Sequence, residues 1–205
     1  MALVKLNNRG VRSATTFGSI SALGSMTFIK KVTASSSATV SFVDGTSDVV
    51  LDDTYKEYLF TFKNIHPSAE ASFGINFSID SGSNYNVAKT TTSFYAYHNE
   101  ADSATTLSYR TAYDLAQGTG SSPLGGDTMS TSNDECGDGF LHLFNPSSTT
   151  FVKHFISRFT PHYPAFAMDG FTAGYGNTTS AIDAVQFSMS SGNIDAGDIC
   201  LYGIN

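Results

Sequence analysis

The five histidines are the side chains in this sequence best suited to hold a transition metal. Such a site needs two or three imidazoles that converge and are held in place by neighbouring hydrogen bonds. The best pair is His142 and His154, which lie on the two arms of one predicted hairpin. With residues 145–148 as its loop, His142 faces Phe151, so the two imidazoles do not meet. We therefore predict no metal site among the histidines, which are His66, His98, His142, His154 and His162.

Carboxylates form two local clusters, one at Asp134, Glu135 and Asp138 and the other at Glu100 and Asp102. Calcium takes about six to eight oxygen ligands, and Asp-, Asn- and Gly-rich loops supply them in many proteins. The first cluster lacks the spacing of a calcium loop, so we favour solvated loop acids over a calcium site. A glycosidase needs two carboxylates at a defined separation, which the order of residues along the chain does not set.

Motifs of nucleophilic, phosphate-binding and zinc-hydrolase chemistry are missing from the sequence. We therefore predict a protein that is not an enzyme and that needs no cofactor. Sugar-binding modules favour flat aromatic platforms, and this chain has no tryptophan, which weakens a glycan-binding interpretation. Three tyrosines remain candidates for glycan contact: Tyr95, Tyr97 and Tyr175.

The overall charge and the two cysteines narrow the class of protein further. The net charge is −7 and the isoelectric point about 5.0, so no basic stripe exists to neutralise the phosphates of a nucleic acid. We find no apolar run long enough to span a membrane and no signal peptide at the start of the chain. Cys136 and Cys200 fit free thiols in a reducing cell better than a disulfide, although the sequence leaves a bridge between them open.

The residues from 53 to 85 give the clearest structural signal, two runs in which large apolar residues alternate with others. Period-two alternation is typical of strands with one buried face. In the second run we expect Phe73, Ile75, Phe77 and Ile79 inward and Gly74, Asn76, Ser78 and Asp80 outward. The predicted core is Phe60, Phe62, Phe73, Ile75, Phe77, Ile79, Val185, Phe187, Met189 and Leu201.

Strand patterns recur along most of the chain, and they predict about ten to twelve strands with no confident helix. A strand near Gly170 is expected to be bent or bulged there, because glycine within a strand favours a bulge. Residues 99–139 lose all periodicity and predict a long irregular loop, with a short strand or a helical turn left open at 106–117. The simplest architecture is an all-β, antiparallel two-sheet sandwich of jelly-roll type, formed as a single domain by residues 25–205.

Residues 1–24 are set apart from this domain as an extended N-terminal arm. Leu3, Val4 and Leu6 are apolar but have no local partner, and a polar break follows them. Two interpretations stay open, a frayed terminus and an arm that docks on a neighbouring subunit. In the second, the arm adds as an edge strand to another sheet and is the element of assembly.

Several stretches resemble small virion proteins of marine tailed bacteriophages. They are the opening MALVKLNNRG, then FIKKVTASSSATVSFVDG, YKEYLFTFKNIHP, INFSIDSGSNYN, LHLFNPSSTTFVKHF and the ending IDAVQFSMSSGNIDAGDICLYGI. The ending is similar to the final hairpin of phage jelly-roll domains on fibres and capsid surfaces. The resemblance covers most of the chain apart from residues 99–139. It implies a structural or binding protein with no catalytic residues.

The leading hypothesis is a virion structural protein, present in many copies on a phage capsid, tail or fibre and made in the host cytoplasm. Its expected partners are other virion proteins and further copies of itself, with a trimer as the first expectation because closed cyclic groups hide sheet edges. The alternative is a carbohydrate-binding module that recognises a cell-surface glycan through residues 99–139. A glycan-cleaving enzyme is the least favoured of the three.

Overall fold

The computed structural model describes residues 25–205, which form twelve strands and no helix. The predicted assembly arm, with Leu3, Val4 and Leu6, lies outside the described residues. The strands are β1 (Met26–Ser37), β2 (Thr39–Val43), β3 (Glu57–Pro67), β4 (Phe73–Ser78), β5 (Lys89–Asn99), β6 (Thr105–Tyr109), β7 (Ser122–Pro123), β8 (Gly137–Phe144), β9 (Lys153–Pro161), β10 (Phe166–Gly176), β11 (Ala184–Met189) and β12 (Ile194–Ile204).

Eight of these strands have the order of a jelly roll. One sheet contains β1-β12-β3-β8 side by side, and the other has the order β2-β11-β4-β7. Successive strands of this set therefore alternate between the two sheets, except for β4 and β7, which are neighbours in one sheet. This is the arrangement of two Greek keys in a double-sheet sandwich. All strand pairs are antiparallel. The predicted all-β sandwich of jelly-roll type is confirmed.

The other four strands widen one sheet beyond the sandwich. β9 and β10 come from the connection after β8, β5 and β6 from the connection after β4, and together they continue the first sheet as β8-β9-β10-β5-β6. The result is one sheet of eight strands, here called the large sheet, facing a small sheet of four. β1 is an edge strand of the large sheet, which places Lys30 and Lys31 where positive charges discourage pairing with another edge.

The core between the sheets is built on aromatic rings. Phe187 of β11 lies at its centre, with its ring centroid 5.1 to 6.3 Å from those of Phe42, Phe60, Phe62 and Phe73. Nine of the ten predicted core residues are buried. The exception is Ile79, which is 43% exposed because β4 ends at Ser78 and the chain turns there. The prediction for Ile79 was wrong because a turn ended the alternation one residue earlier.

β4 also corrects the expectation that one of its faces points to solvent. All six of its residues are buried, including Gly74, Asn76 and Ser78. The segment that leads into β7 lies against this second face: a Cβ on Gly74 would lie 2.4 Å from Ser121 Oγ, and Asn76 Nδ2 donates to the carbonyl of Thr119 at 3.1 Å. The small residues of β4 are therefore needed for close packing rather than for contact with water.

Residues 99–139 contain more regular structure than the predicted irregular loop. They include β6, the two-residue strand β7 and the start of β8, so the short strand left open at 106–117 is present as β6. The remainder lies across the inner side of the sheet extension, where a Cβ on Gly170 would lie 1.9 Å from Gly125 O. Pairing of β10 with β5 runs through Gly170 without a register shift, and pairing with β9 begins at Gly170. The predicted bulge is absent, and glycine is required there by the close approach of the covering segment.

The hairpin of β8 and β9 has a longer loop than predicted. Its register pairs His142 with Ile156 and Leu143 with Phe155, so His142 does not face Phe151. Within this loop Ser148 Oγ accepts hydrogen bonds from the backbone N–H groups of Thr150 and Phe151. His142 and His154 are still not paired across the hairpin.

Lys89 of β5 is fully buried and has no carboxylate as a hydrogen-bond partner within the described residues. Its Nζ donates to Asn76 Oδ1 and, at 2.9 Å, to the carbonyl of Val87. Burial lowers the pKa of Lys89 to about 8 from an ordinary value of 10.5. The unfolded chain therefore binds more protons between these two pH values, and the contribution of Lys89 to stability rises with pH across that window.

Replacing Lys89 with methionine is expected to stabilise the protein more at neutral pH than at alkaline pH. The free energy gained relative to the natural chain should shrink by about 2 kcal/mol between pH 7 and pH 9.5, because the natural lysine loses its charge in that range. Urea unfolding at the two pH values measures the difference, and Lys56→Met, at an exposed lysine, is the control for removing one positive charge. A gain that does not change with pH would show that Lys89 is solvated.

Candidate functional site

The face of the large sheet that points away from the small sheet, here called the outer face, is the largest candidate interaction surface. Its residues follow from the strand register, because cross-strand partners share a face. One row of partners crosses seven of the eight strands. This row consists of Phe28, Tyr202, Leu59, His142, Ile156, Ala173 and Thr92.

The outer face carries most of the exposed large apolar side chains of the described residues. Ile156, on the middle strand β9, is 51% exposed, and Leu107, on the edge strand β6, is 74% exposed. An exposed contiguous apolar patch on a soluble domain marks a surface of interaction. The exposed apolar residues of this face are Met26, Phe28, Phe94, Leu107, Tyr109, Phe140 and Ile156.

Stacked rings hold the surface of this face in a fixed conformation. Phe94 and Phe171, cross-strand partners on β5 and β10, stack with their centroids 4.8 Å apart and their planes at 8°. The guanidinium of Arg158 lies over the Phe171 ring, with 5.0 Å between its central carbon and the centroid. Arg158 is itself held by Asp169, to which its Nε donates at 2.8 Å. Such anchored aromatic groups are well suited to an interface because they lose little freedom on binding.

Beside this stack, the outer face has a shallow apolar groove of about 520 Å³. Tyr175 and His154 form one end of it, with their ring centroids 5.8 Å apart. Ile156 and Ala173 line its floor. Tyr175, one of the three tyrosines predicted to contact a glycan, therefore belongs to the outer face.

The other two predicted glycan contacts, Tyr95 and Tyr97, lie on the opposite side of the same sheet. Both are half-buried and alternate on β5 with outer-face residues, so they point toward the segment that covers the sheet extension. Together they line a second cavity, of about 330 Å³, here called the tyrosine pocket. Its lining is Glu70, Tyr95, Tyr97, Asp127, Thr128, Tyr163, Phe166 and Met168.

Arg110 forms the wall behind the tyrosine pocket. Its guanidinium carbon lies 4.8 Å from the centroid of Tyr95, its Nη2 is 3.1 Å from Asp127 Oδ2, and its Nε donates to the carbonyl of Gly126 at 2.8 Å. Gly126 has a φ of +78°, and a Cβ there would lie 2.8 Å from the Cβ of Tyr95. The pocket therefore depends on a glycine in a left-handed conformation that lets the chain approach the tyrosine.

Nothing in the sequence marked Glu70, Arg110, Asp127 and Tyr163 as members of one site. They come from four different connections or strands and meet only because the sheet extension folds back under residues 110–130. The alternation around Phe94 on β5 was the one available signal, because it placed Tyr95 and Tyr97 on a common face. Sequence reasoning did not separate that face from the one that holds Tyr175.

In the carboxylate cluster at Asp134, Glu135 and Asp138, the last two side chains make hydrogen bonds within the protein. Asp138 Oδ1 accepts from the backbone N–H of Asn64 at 2.8 Å. A hydrogen bond from Ser130 lowers the pKa of Glu135, and Glu135 Oε1 also lies 3.4 Å from His162 Nδ1. Among residues 25–205 no group of three or more His, Cys, Asp or Glu side chains is arranged to hold a metal ion.

The other histidines, acids and cysteines considered from the sequence do not converge on one site. Asp102 pairs with His98 at 3.0 Å in an exposed turn, and His142 hydrogen-bonds to Glu57. Cys136 and Cys200 are both free thiols, so the bridge that the sequence left open is not formed. Burial raises the pKa of the Cys136 thiol, which makes it less reactive as a nucleophile.

No family model, curated protein or solved structure matches this chain. Within the part of the chain that the structure describes, no helix has the length and apolarity needed to cross a bilayer. The two surfaces described above therefore have to be interpreted from their own chemistry.

Proposed function

We propose that this protein is a non-enzymatic structural protein of a bacteriophage particle, present in many copies on the capsid, tail or fibre. The sequence stretches that resemble phage virion proteins support the proposal, and so does the fold. Double Greek-key jelly rolls recur in viral capsid proteins and in lectins. In this proposal the chain is made in the host cytoplasm and its partners are other virion proteins and copies of itself.

The observation that carries the assembly role is the outer face of the large sheet. An apolar, aromatic face of this extent is stabilised when another protein covers it, because burial removes its apolar area from water. We assign a second copy of this chain as the partner. Stacked Phe94 and Phe171, the exposed Ile156 and the neighbouring groove supply the apolar contacts of that interface.

Electrostatics favour the outer face over other surfaces for contact between copies. The whole chain has a net charge of −7, so most surfaces of two copies repel each other. On the outer face, the charges of the residues at paired strand positions sum to −1. Among these residues, Lys31 Nζ lies 3.0 Å from Asp198 Oδ2. These residues are the cations Lys31, Lys63 and Arg158 and the anions Glu57, Asp138, Asp169 and Asp198.

Two parts of the proposal stay predictions. The arm with Leu3, Val4 and Leu6 is proposed to attach the domain to a neighbouring subunit. A closed trimer is the first expectation for the number of copies, because closed cyclic groups hide sheet edges.

The proposal is tested by quantitative mass spectrometry of density-gradient-purified phage particles from the infected host. We expect the chain to be present in many copies per particle, at a constant ratio to the major capsid protein across gradient fractions. A chain that stays in the soluble fraction of the lysate and is missing from the particle band would contradict the proposal.

A carbohydrate-binding role is the second candidate function, and the tyrosine pocket is the observation that favours it. It brings two of the predicted glycan contacts, Tyr95 and Tyr97, together with the carboxylates of Glu70 and Asp127. The two functions are compatible if the particle uses this protein to attach to its host.

A further inference from the structure

We infer that the tyrosine pocket binds a neutral saccharide, with Tyr95 and Tyr97 as the stacking platform and Glu70 and Asp127 as hydrogen-bond acceptors. The pocket volume of about 330 Å³ is at the lower end of the range for small-molecule sites. It combines an apolar aromatic lining with a few polar groups that converge on it. That combination is typical of a site that holds a small ligand in one orientation.

The platform consists of rings that are already fixed in position. Tyr95 and Tyr97 lie with their centroids 5.6 Å apart and their planes 27° from parallel. The ring centroids of Phe166 and Tyr97 are 5.2 Å apart, with the two planes at 87°. The guanidinium of Arg110 packs over the Tyr95 ring. At this spacing two nearly parallel rings are offset-stacked, so the platform is the side of a rigid aromatic stack rather than a coplanar surface. The C–H groups of a pyranose ring pack against such a stack at little cost in side-chain freedom.

Polar groups around the platform are available to sugar hydroxyls. Glu70 Oε1 accepts a hydrogen bond from Thr128 Oγ1 at 3.2 Å, and Asp127 Oδ1 accepts from the Thr128 backbone N–H at 2.9 Å. A carboxylate has about four acceptor sites, so both retain capacity for a ligand. Within residues 25–205 the hydroxyls of Tyr95, Tyr97 and Tyr163 make no hydrogen bond, which leaves them as donors and acceptors for a ligand. Hydroxyl-bearing ligands match this set, since each hydroxyl both donates and accepts.

The same residue types also form cages for quaternary ammonium groups, but the geometry here differs from a cage. A cage surrounds the cation with ring faces from several directions. In the tyrosine pocket Tyr95 and Tyr97 are close to parallel, and the cation Arg110 already lies over Tyr95 and 3.1 Å from Asp127. The saccharide is therefore favoured over an ammonium ligand.

The inference is tested with the full chain on an array of neutral and acidic oligosaccharides, followed by titration calorimetry with the best-bound neutral oligosaccharide. Tyr97→Ala is expected to weaken binding by about tenfold or more, because it removes half of the stacking platform. Glu70→Gln is expected to weaken it less, since an amide oxygen keeps part of the acceptor capacity. Tyr175→Ala tests the rival site, because Tyr175 is the predicted glycan contact on the opposite side of the sheet. Tyr85→Ala is the matched control, at a half-buried tyrosine outside both sites.

The outcomes separate the possibilities. Loss of binding in Tyr97→Ala with full binding in Tyr175→Ala, and with unchanged unfolding midpoints in both variants, supports the site. Loss only in Tyr175→Ala would place a glycan site in the outer-face groove and overturn the inference. The inference is also overturned if no oligosaccharide binds, or if choline, titrated under the same conditions, binds in place of a sugar. Each of these results is independent of whether the chain is found in phage particles.

Discussion

Replacing Phe187 with alanine is expected to lower the free energy of unfolding by about 3–5 kcal/mol, the range found for buried Phe-to-Ala changes. Phe187 is fully buried on β11, in the middle of the small sheet. Its ring reaches across the sandwich to Phe60 and Phe62 of the large sheet, at 5.2 and 5.1 Å. The change leaves a cavity between the two sheets and also removes edge-to-face and stacked contacts, so the loss should lie toward the upper end of the range.

Urea unfolding followed by far-ultraviolet circular dichroism measures this loss. Phe28→Ala is the matched control, because Phe28 is also an aromatic residue on a strand but is 56% exposed. The control is expected to change stability by less than about 1 kcal/mol under the same conditions. Equal losses at the two positions would mean that the sandwich core described here is wrong.

Replacing Ile156 with glutamate is expected to weaken self-association of the chain by about thirtyfold or more. A charge at the centre of an apolar interface has to be desolvated without a partner, and two copies would bring two such charges together in an already anionic protein. Ile156 lies on β9, in the middle of the outer face, and is half exposed in the single chain. The folded domain itself should tolerate the change.

Sedimentation velocity over a range of protein concentrations measures the association. Ile79→Glu is the matched control, because Ile79 is a comparably exposed isoleucine at the end of β4, away from the outer face. It adds the same charge and should leave association almost unchanged. If both variants associate as the natural chain does, or if the natural chain is a monomer at high concentration, the outer face is not the contact between copies.

Much of the fold was predictable because strand alternation is a local property. Phe73, Ile75 and Phe77 alternate on β4 as expected, and the all-β class follows from many such segments. The exposed Ile79 was not predictable from the same pattern, since only the turn after Ser78 ends the strand. Likewise, burial of Asn76 depends on a segment more than forty positions further along the chain, to which it donates at Thr119.

The candidate sites were less predictable than the fold. Tyr95 and Tyr175 are both tyrosines in predicted strands, and the sequence does not distinguish their faces. The pairing of β5 and β10 places them on opposite sides of one sheet. The exposed outer face depends on which side of the large sheet the small sheet covers, and local pattern does not decide this. Lys89 was also missed, because its burial follows from the folding of residues 115–118 over β5.

An electron cryomicroscopy reconstruction of the purified phage particle tests the central claim most directly. The account predicts density for many copies of the jelly roll, with the outer face covered by another copy of the chain around Phe94, Ile156 and Phe171. A reconstruction that accounts for all surface density without this fold would contradict the proposed role. One that contains the fold with its outer face open to solvent would contradict the proposed mode of assembly.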